Sequence, residues 1–358
     1  MGIRSGFMFL VAGVMGVASA TWGADDAATL VEQGHWRRAR AAIEAALASK
    51  PDDAAARALH AEVLQAFDEN EAAMKEAEKA VALAPQSADA HYRLAEVVGD
   101  MAQNAGPFKG LGLAKRFRKE AEAAIALDPN HVDARLGLMV FYLKAPGIAG
   151  GDKKAARRMV EEVEKLSPER AWQARSRFAA ETKDTAAIPG IYRDAVARNP
   201  GSYDARVALA NWSIPAWRNA RPAAEEQALA AMALEPHRVG PYVTLAMVLA
   251  GAKRWDELDA LLARADAAVP DDLSPHYQAG RIALVEAGDA ARAERHFRRY
   301  LSQPTEAGAS SHAAAHWRLG QALEKQGRRD EAVAELRTAV KLDPKFEPAK
   351  KELKRMTS

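Results

Sequence analysis

Apolar side chains in this chain recur three or four residues apart, in one stretch after another. Trp36, Ala39, Ile43 and Ala46 keep that spacing, as do Trp255, Leu258, Leu262 and Ala265, and again Ala332, Leu336 and Ala339. The period places apolar groups along one side of an α-helix and leaves the opposite side polar. Prolines close these stretches. Pro51, Pro85, Pro129, Pro168, Pro200, Pro236, Pro270, Pro304 and Pro344 are separated by 34, 44, 39, 32, 36, 34, 34 and 40 residues. Proline has no N–H and fixes its own φ, so a helix stops ahead of it and a new unit begins. A period in the thirties points to a solenoid, whose units bury their apolar sides only against neighbours.

The unit is clearest in "AAAHWRLGQALEKQGRRDEAVAELRTAVKLDP", which ends at Pro344. Leu319-Gly320, Leu323, the turn at Gly327, Ala332, Leu336, Ala339 and the proline resemble the tetratricopeptide repeat (TPR) consensus. The resemblance implies an all-α fold: a TPR-like α-solenoid, a right-handed superhelix of antiparallel helix pairs. About nine repeats are expected over 25–344, with a capping helix and tail over 345–358. The match is strongest at 54–87, 239–272 and 313–346; it weakens in 20–53, and in 169–200, where the first helix looks shortened. Small residues such as Gly320, Ala246, Ala332 and Ala339 belong where backbones approach, and Leu319, Leu323 and Leu336 fill the space between neighbours. Such a stack is expected to form a curved rod.

Two repeats are too long. The stretch "KAPGIAGGDKKAARR" (144–158) has the glycines and lysines of a phosphate loop. A phosphate loop requires G-x-x-x-x-G-K-[ST] between a strand and a helix. Asp152 separates Gly151 from Lys153, and neither Ser nor Thr follows. The glycines of 145–151 are therefore read as a spliced turn, with Asp152 capping the next helix. The other insertion, 104–114, reads as a lengthened turn with a basic face. Phe108, Lys109, Lys115 and Arg116 make it a candidate contact loop for an acidic partner or lipid headgroups. The pair of insertions resembles those of a group of exported bacterial TPR proteins without established activity.

Composition narrows the function. Lys and Arg number 50 against 48 Asp and Glu, so no overall field draws the chain to nucleic acid. Apolar residues at 49% and aromatics at 6%, with abundant alanine, suit closely packed helices. Arg4, the apolar stretch from Phe7 to Val17 and Ala18-Ser19-Ala20 have the order of an export signal (1–24), cleaved after Ala20 or Ala24. The run is too short to span a bilayer, and nothing later is long and apolar enough. The mature protein is expected to be exported, periplasmic or secreted. There is no cysteine, hence no disulfide framework and no thiolate chemistry.

Chemistry is sparse. His312 and His316 stand one helical turn apart, but no acidic residue sits between them as in H-E-x-x-H and no third ligand is evident. No G-x-S-x-G motif is present. The expectation is a protein that is not an enzyme and carries no cofactor or metal. What the TPR resemblance implies is a groove lined by the first helix of each pair, with contact positions at Tyr92, Glu96, Asn211, Tyr277, Arg281, Trp317 and Gln321. Val207 ahead of Asn211, without matching basic residues, speaks against the clamp for chaperone tails. The expected partner is a protein or peptide segment. The alternative is a small-molecule or lipid-binding accessory of an envelope transport system.

Overall fold

The computed structural model describes residues 24–213 and 217–358, so Arg4 to Ala20 of the expected export signal lie outside it. The chain is an all-α solenoid. Its antiparallel pairs are α1 (Ala24–Gln33) with α2 (Trp36–Ser49), α3 (Ala54–Ala66) with α4 (Asn70–Leu83), and α5 (Ala88–Asn104) with α6 (Pro107–Leu127). There follow α7 (Val132–Lys144) with α8 (Lys153–Leu166), α9 (Ala171–Glu181) with α10 (Ile188–Arg198), and α11 (Tyr203–Trp212) with α12 (Trp217–Leu234). The last are α13 (Gly240–Gly251) with α14 (Trp255–Ala268), α15 (Ser274–Ile282) with α16 (Ala290–Tyr300), and α17 (His312–Lys325) with α18 (Arg329–Leu342). A final helix, α19 (Glu347–Thr357), covers the last pair and buries Ala349 and Met356 there.

Second helices end just ahead of the phase-marking prolines: α2 at Ser49, α4 at Leu83, α8 at Leu166. The carbonyl of the proline is then taken by a side chain six residues later, in the next helix. Arg57 Nε donates to Pro51 O at 2.7 Å, Arg206 Nε to Pro200 O at 2.7 Å and Tyr242 OH to Pro236 O at 2.9 Å. His91 Nε2 sits 3.2 Å from Pro85 O. Asp53, Ser87, Ser202 and Ser311 cap first helices by accepting from the N–H three residues on. Each such cap is worth about 1 kcal/mol. Within pairs, small residues set the approach. A Cβ on Gly320 would come within 3.1 Å of Ala332 O and Leu336 Cγ.

Successive first helices also touch one another: α3 packs on α5, α7 on α9, and α13 on α15. Among the described residues the second helices make no comparable contacts, so they fan out on the convex side and the first helices line the concave side. The curvature goes further than a curved rod. Loops beside the eighth pair reach back to the first: His35 Nδ1 lies 2.9 Å from Asp271 Oδ2, and Arg37 Nε donates to Glu306 Oε1 at 3.0 Å. The array closes on itself.

The first insertion is not a turn. Its residues extend α5 to 17 residues and α6 to 21, with Pro107 in the first turn of α6, where a missing N–H costs nothing. The second insertion is a turn. Ala145 ends α7, a single 3-10 turn runs over Gly147–Ala149, and Gly150 has φ +103°. Asp152 caps α8, accepting from the N–H of Lys154 and Ala155 at 2.8 and 3.2 Å.

Candidate functional site

The two insertions, in consecutive pairs, meet. Between them on the concave side lies a pocket of about 720 Å³, lined from α5, α6, α7 and the 145–149 turn. Its wall is made of Ala102, Leu111, Ala114, Phe117, Val140 and Phe141. Glycine makes the room. Phe117 sits between Gly99 and Gly137, where a Cβ would approach its ring to 2.8 and 3.3 Å, and it stacks on Phe141 with centroids 5.5 Å apart. Phe108 and Ile148, one from each insertion, stand at the pocket 95% and 81% exposed. Two large apolar side chains left in solvent beside an apolar pocket mark an interaction site more firmly than either alone.

Polar groups gather at one side. Tyr92 and Glu96 line the pocket from α5, and burial raises the pKa of both. Arg93 bonds Glu96 Oε2 at 2.5 Å and so opposes that rise. Gln65 spends its amide on the carbonyl of Glu96 at 3.4 Å. Lys144, paired with Glu181 at 3.0 Å, and exposed Arg177 add positive charge at the edge.

Of the residues expected from sequence, Tyr92, Glu96 and Phe108 come together here. Lys109 and Lys115 lie exposed on α6 rather than on a loop, and Arg116 NH2 is tied to Glu78 of α4 at 2.8 Å. Asn211 is exposed on α11, its Oδ1 accepting from Thr244 Oγ1 at 2.9 Å. The C-terminal positions make contacts within the fold. Tyr277 is 7% exposed, its ring held against Phe297 and Tyr300. Arg281 is half-buried on α15 and bonds Gln278 at 2.7 Å. Trp317 Nε1 and Gln321 Nε2 both donate to Glu352 of α19, at 3.4 and 3.1 Å, and Trp317 meets Phe346 edge-on. Sequence reasoning missed Leu111, Phe141 and Ile148. The signal that would have found them was two lengthened repeats side by side.

The histidine pair separates in function. His312 Nε2 lies 3.1 Å from the carbonyl of Gln303, and His316 Nδ1 lies 2.5 Å from Glu335. Among the described residues, no group of three His, Asp or Glu side chains is placed to hold a metal ion, and no helix is long and apolar enough to cross a membrane.

Two family models match. The one described as regulator of microtubule dynamics protein 1-3 covers residues 27–181, and the one described as tetratricopeptide repeat covers 282–345. No curated protein matches the sequence. Among solved structures, yeast Tom70 is 15% identical, over 93% of this chain and 80% of its own, with a TM-score of 0.50. Human IFIT1, solved as a dimer with PPP-AAAA, is 13% identical over 92% and 81%, with a TM-score of 0.52. A thermophilic TPR protein of Thermus thermophilus is 18% identical over 52% of this chain and 94% of its own, with a TM-score of 0.46. Residues 282–345 thus match the tetratricopeptide-repeat family, and the described chain as a whole has the fold of such repeats. Its fold is of the kind that holds protein partners.

Proposed function

We propose that this protein is an exported, non-catalytic scaffold that binds a segment of another protein on its concave side. The supporting observation is the 720 Å³ pocket with Phe108 and Ile148 exposed beside it. Most of its wall is apolar, with the polar groups confined to one side. A buried main chain would leave N–H and C=O groups unsatisfied at roughly 1–3 kcal/mol each. Large apolar side chains would enter instead, with the partner's backbone remaining at the rim. Phe108→Asp with Ile148→Asp, both at exposed sites, should leave the melting temperature unchanged. Crosslinking in the native envelope should then capture a protein with the wild type and lose it with the double variant. Equal capture by both would remove the pocket from the contact.

The same pocket favours a second reading, an apolar small molecule or lipid, because its size falls within the roughly 300–1,000 Å³ usual for ligand sites. Native mass spectrometry separates the two: a small apolar adduct on the purified wild type, absent from the double variant, selects the ligand. Export is read from the order of Arg4, the apolar stretch and Ala18-Ser19-Ala20. A mature N-terminus at Thr21 or Asp25 is the expected result of N-terminal sequencing, and an intact Met1 would sink it.

A further inference from the structure

The seam where the array closes is built unlike its other interfaces. Arg37 NH2 donates to the carbonyl of Asp271 at 2.8 Å, and the backbone N–H of Arg37 donates to Glu306 at 3.1 Å. His35 is 4% exposed and Glu306 3%, so these are ordered, buried contacts rather than surface encounters. Yet no apolar cluster among the described residues spans the seam. The cluster around Ile43 reaches only to Phe67, and the one around Phe297 begins at Trp255. Pairs such as α13 and α15 share an apolar cluster, which dissociates only by exposing it to water. A contact made of charges and hydrogen bonds exchanges its partners for water at little net free energy.

A second, independent feature lies across the ring. None of the five apolar clusters among the described residues contains a residue of α10. The core of the first block ends at Ala174 and Phe178, and the next begins at Ala210. What joins them, besides buried Ile188 and Ala195 of α10, is a line of edge-on rings, Trp172 to Tyr192 at 5.7 Å and Tyr192 to Trp212 at 6.2 Å. The chain is thus two blocks, with three apolar clusters in the first and two in the second, joined by a thin fifth pair and fastened at the opposite end by charge.

We propose that the molecule is a clasped ring: the seam at His35, Arg37, Asp271 and Glu306 releases, the blocks swing about the fifth pair, and the concave side opens. This goes beyond the binding role, since it stands whatever the pocket holds.

The absence of cysteine makes the test direct. Spin labels on Lys50→Cys and Arg295→Cys report the distance across the seam in the full chain. The wild type should give a main short-distance population. Glu306→Ala leaves Arg37 without its carboxylate and should shift most of that population to longer distances. Two within-block pairs, Lys50→Cys with Lys153→Cys and Ala233→Cys with Arg295→Cys, should keep their distances in the same variant. An unchanged cross-seam distance would overturn the clasp. A within-block change of similar size would overturn it too, because it would mean general loosening rather than rotation of two blocks.

Discussion

His296 carries the strongest acid sensitivity among the histidines. Its Nδ1 faces His276 Nδ1 at 3.4 Å, and its Nε2 is buried without a hydrogen-bond partner. Burial, and then the neighbouring His276, push its pKa down to about 4. His276 is also lowered by burial, although Asp266 lies 3.0 Å from its Nε2 and opposes the shift. The sign follows: the fold holds His296 neutral, whereas the unfolded chain protonates it near its usual value of about 6.5. Stability therefore falls as pH drops from about 6.5 to about 4, by roughly 3 kcal/mol on an order-of-magnitude scale. His296→Leu should flatten the plot of melting temperature against pH in that window; an unaltered slope would assign the acid loss to another group. The contact positions show what a residue's place in the repeat can and cannot say. Tyr92 and Tyr277 occupy the same place in their first helices. Tyr92 packs edge-on against His131 and close to Gly137 yet still lines the pocket, while Tyr277 is enclosed by Phe297 and Tyr300. Trp317 is in the last pair, where it meets Glu352 of α19 and Phe346 just ahead of that helix. Position gives the side of the helix; the neighbour's volume decides whether that side is open.

Helices were legible where proline and the three-to-four spacing acted together, as at Pro51 after α2 or Pro344 after α18. The 104–114 segment misled because Gly106, Pro107, Gly110 and Gly112 are turn residues by composition. Proline in a first turn starts a helix as readily as it ends one. Gly110 is there for closeness, since a Cβ would lie 3.3 Å from Ala102 O of α5. The glycines of the other insertion divide the same way. A Cβ on Gly151 would fall 1.8 Å from Ala145 O, whereas one on Gly147 would meet nothing within 4 Å. Gly151→Ala must therefore push the turn off α7, at about 1–3 kcal/mol of backbone strain. It should also displace Ile148 from the pocket's edge. Gly147→Ala should leave denaturant midpoints near the wild type. If the two variants melt alike, this turn is not what fixes the pocket's edge.

In a solenoid, stability is a chain of nearest-neighbour interfaces, so the thinnest one sets where the molecule first gives way. That interface is the fifth pair. Both its helices are 11 residues long, and α10 buries little besides Ile188 and Ala195. The match to the first family model stops at residue 181, where α9 ends and the last apolar cluster of the first block has just finished. Lys183 follows immediately, exposed and with φ +65°. Brief digestion with trypsin should therefore cut first at Lys183, Arg193 or Arg198, giving two fragments divided between 182 and 202. Each fragment carries its own apolar clusters and should remain helical by circular dichroism after separation. First cuts at the 145–151 turn would show that the lengthened fourth pair, not the shortened fifth, is the weak link. The ring would then have to bend beside its pocket, and ligand binding and opening would be coupled through the same turn.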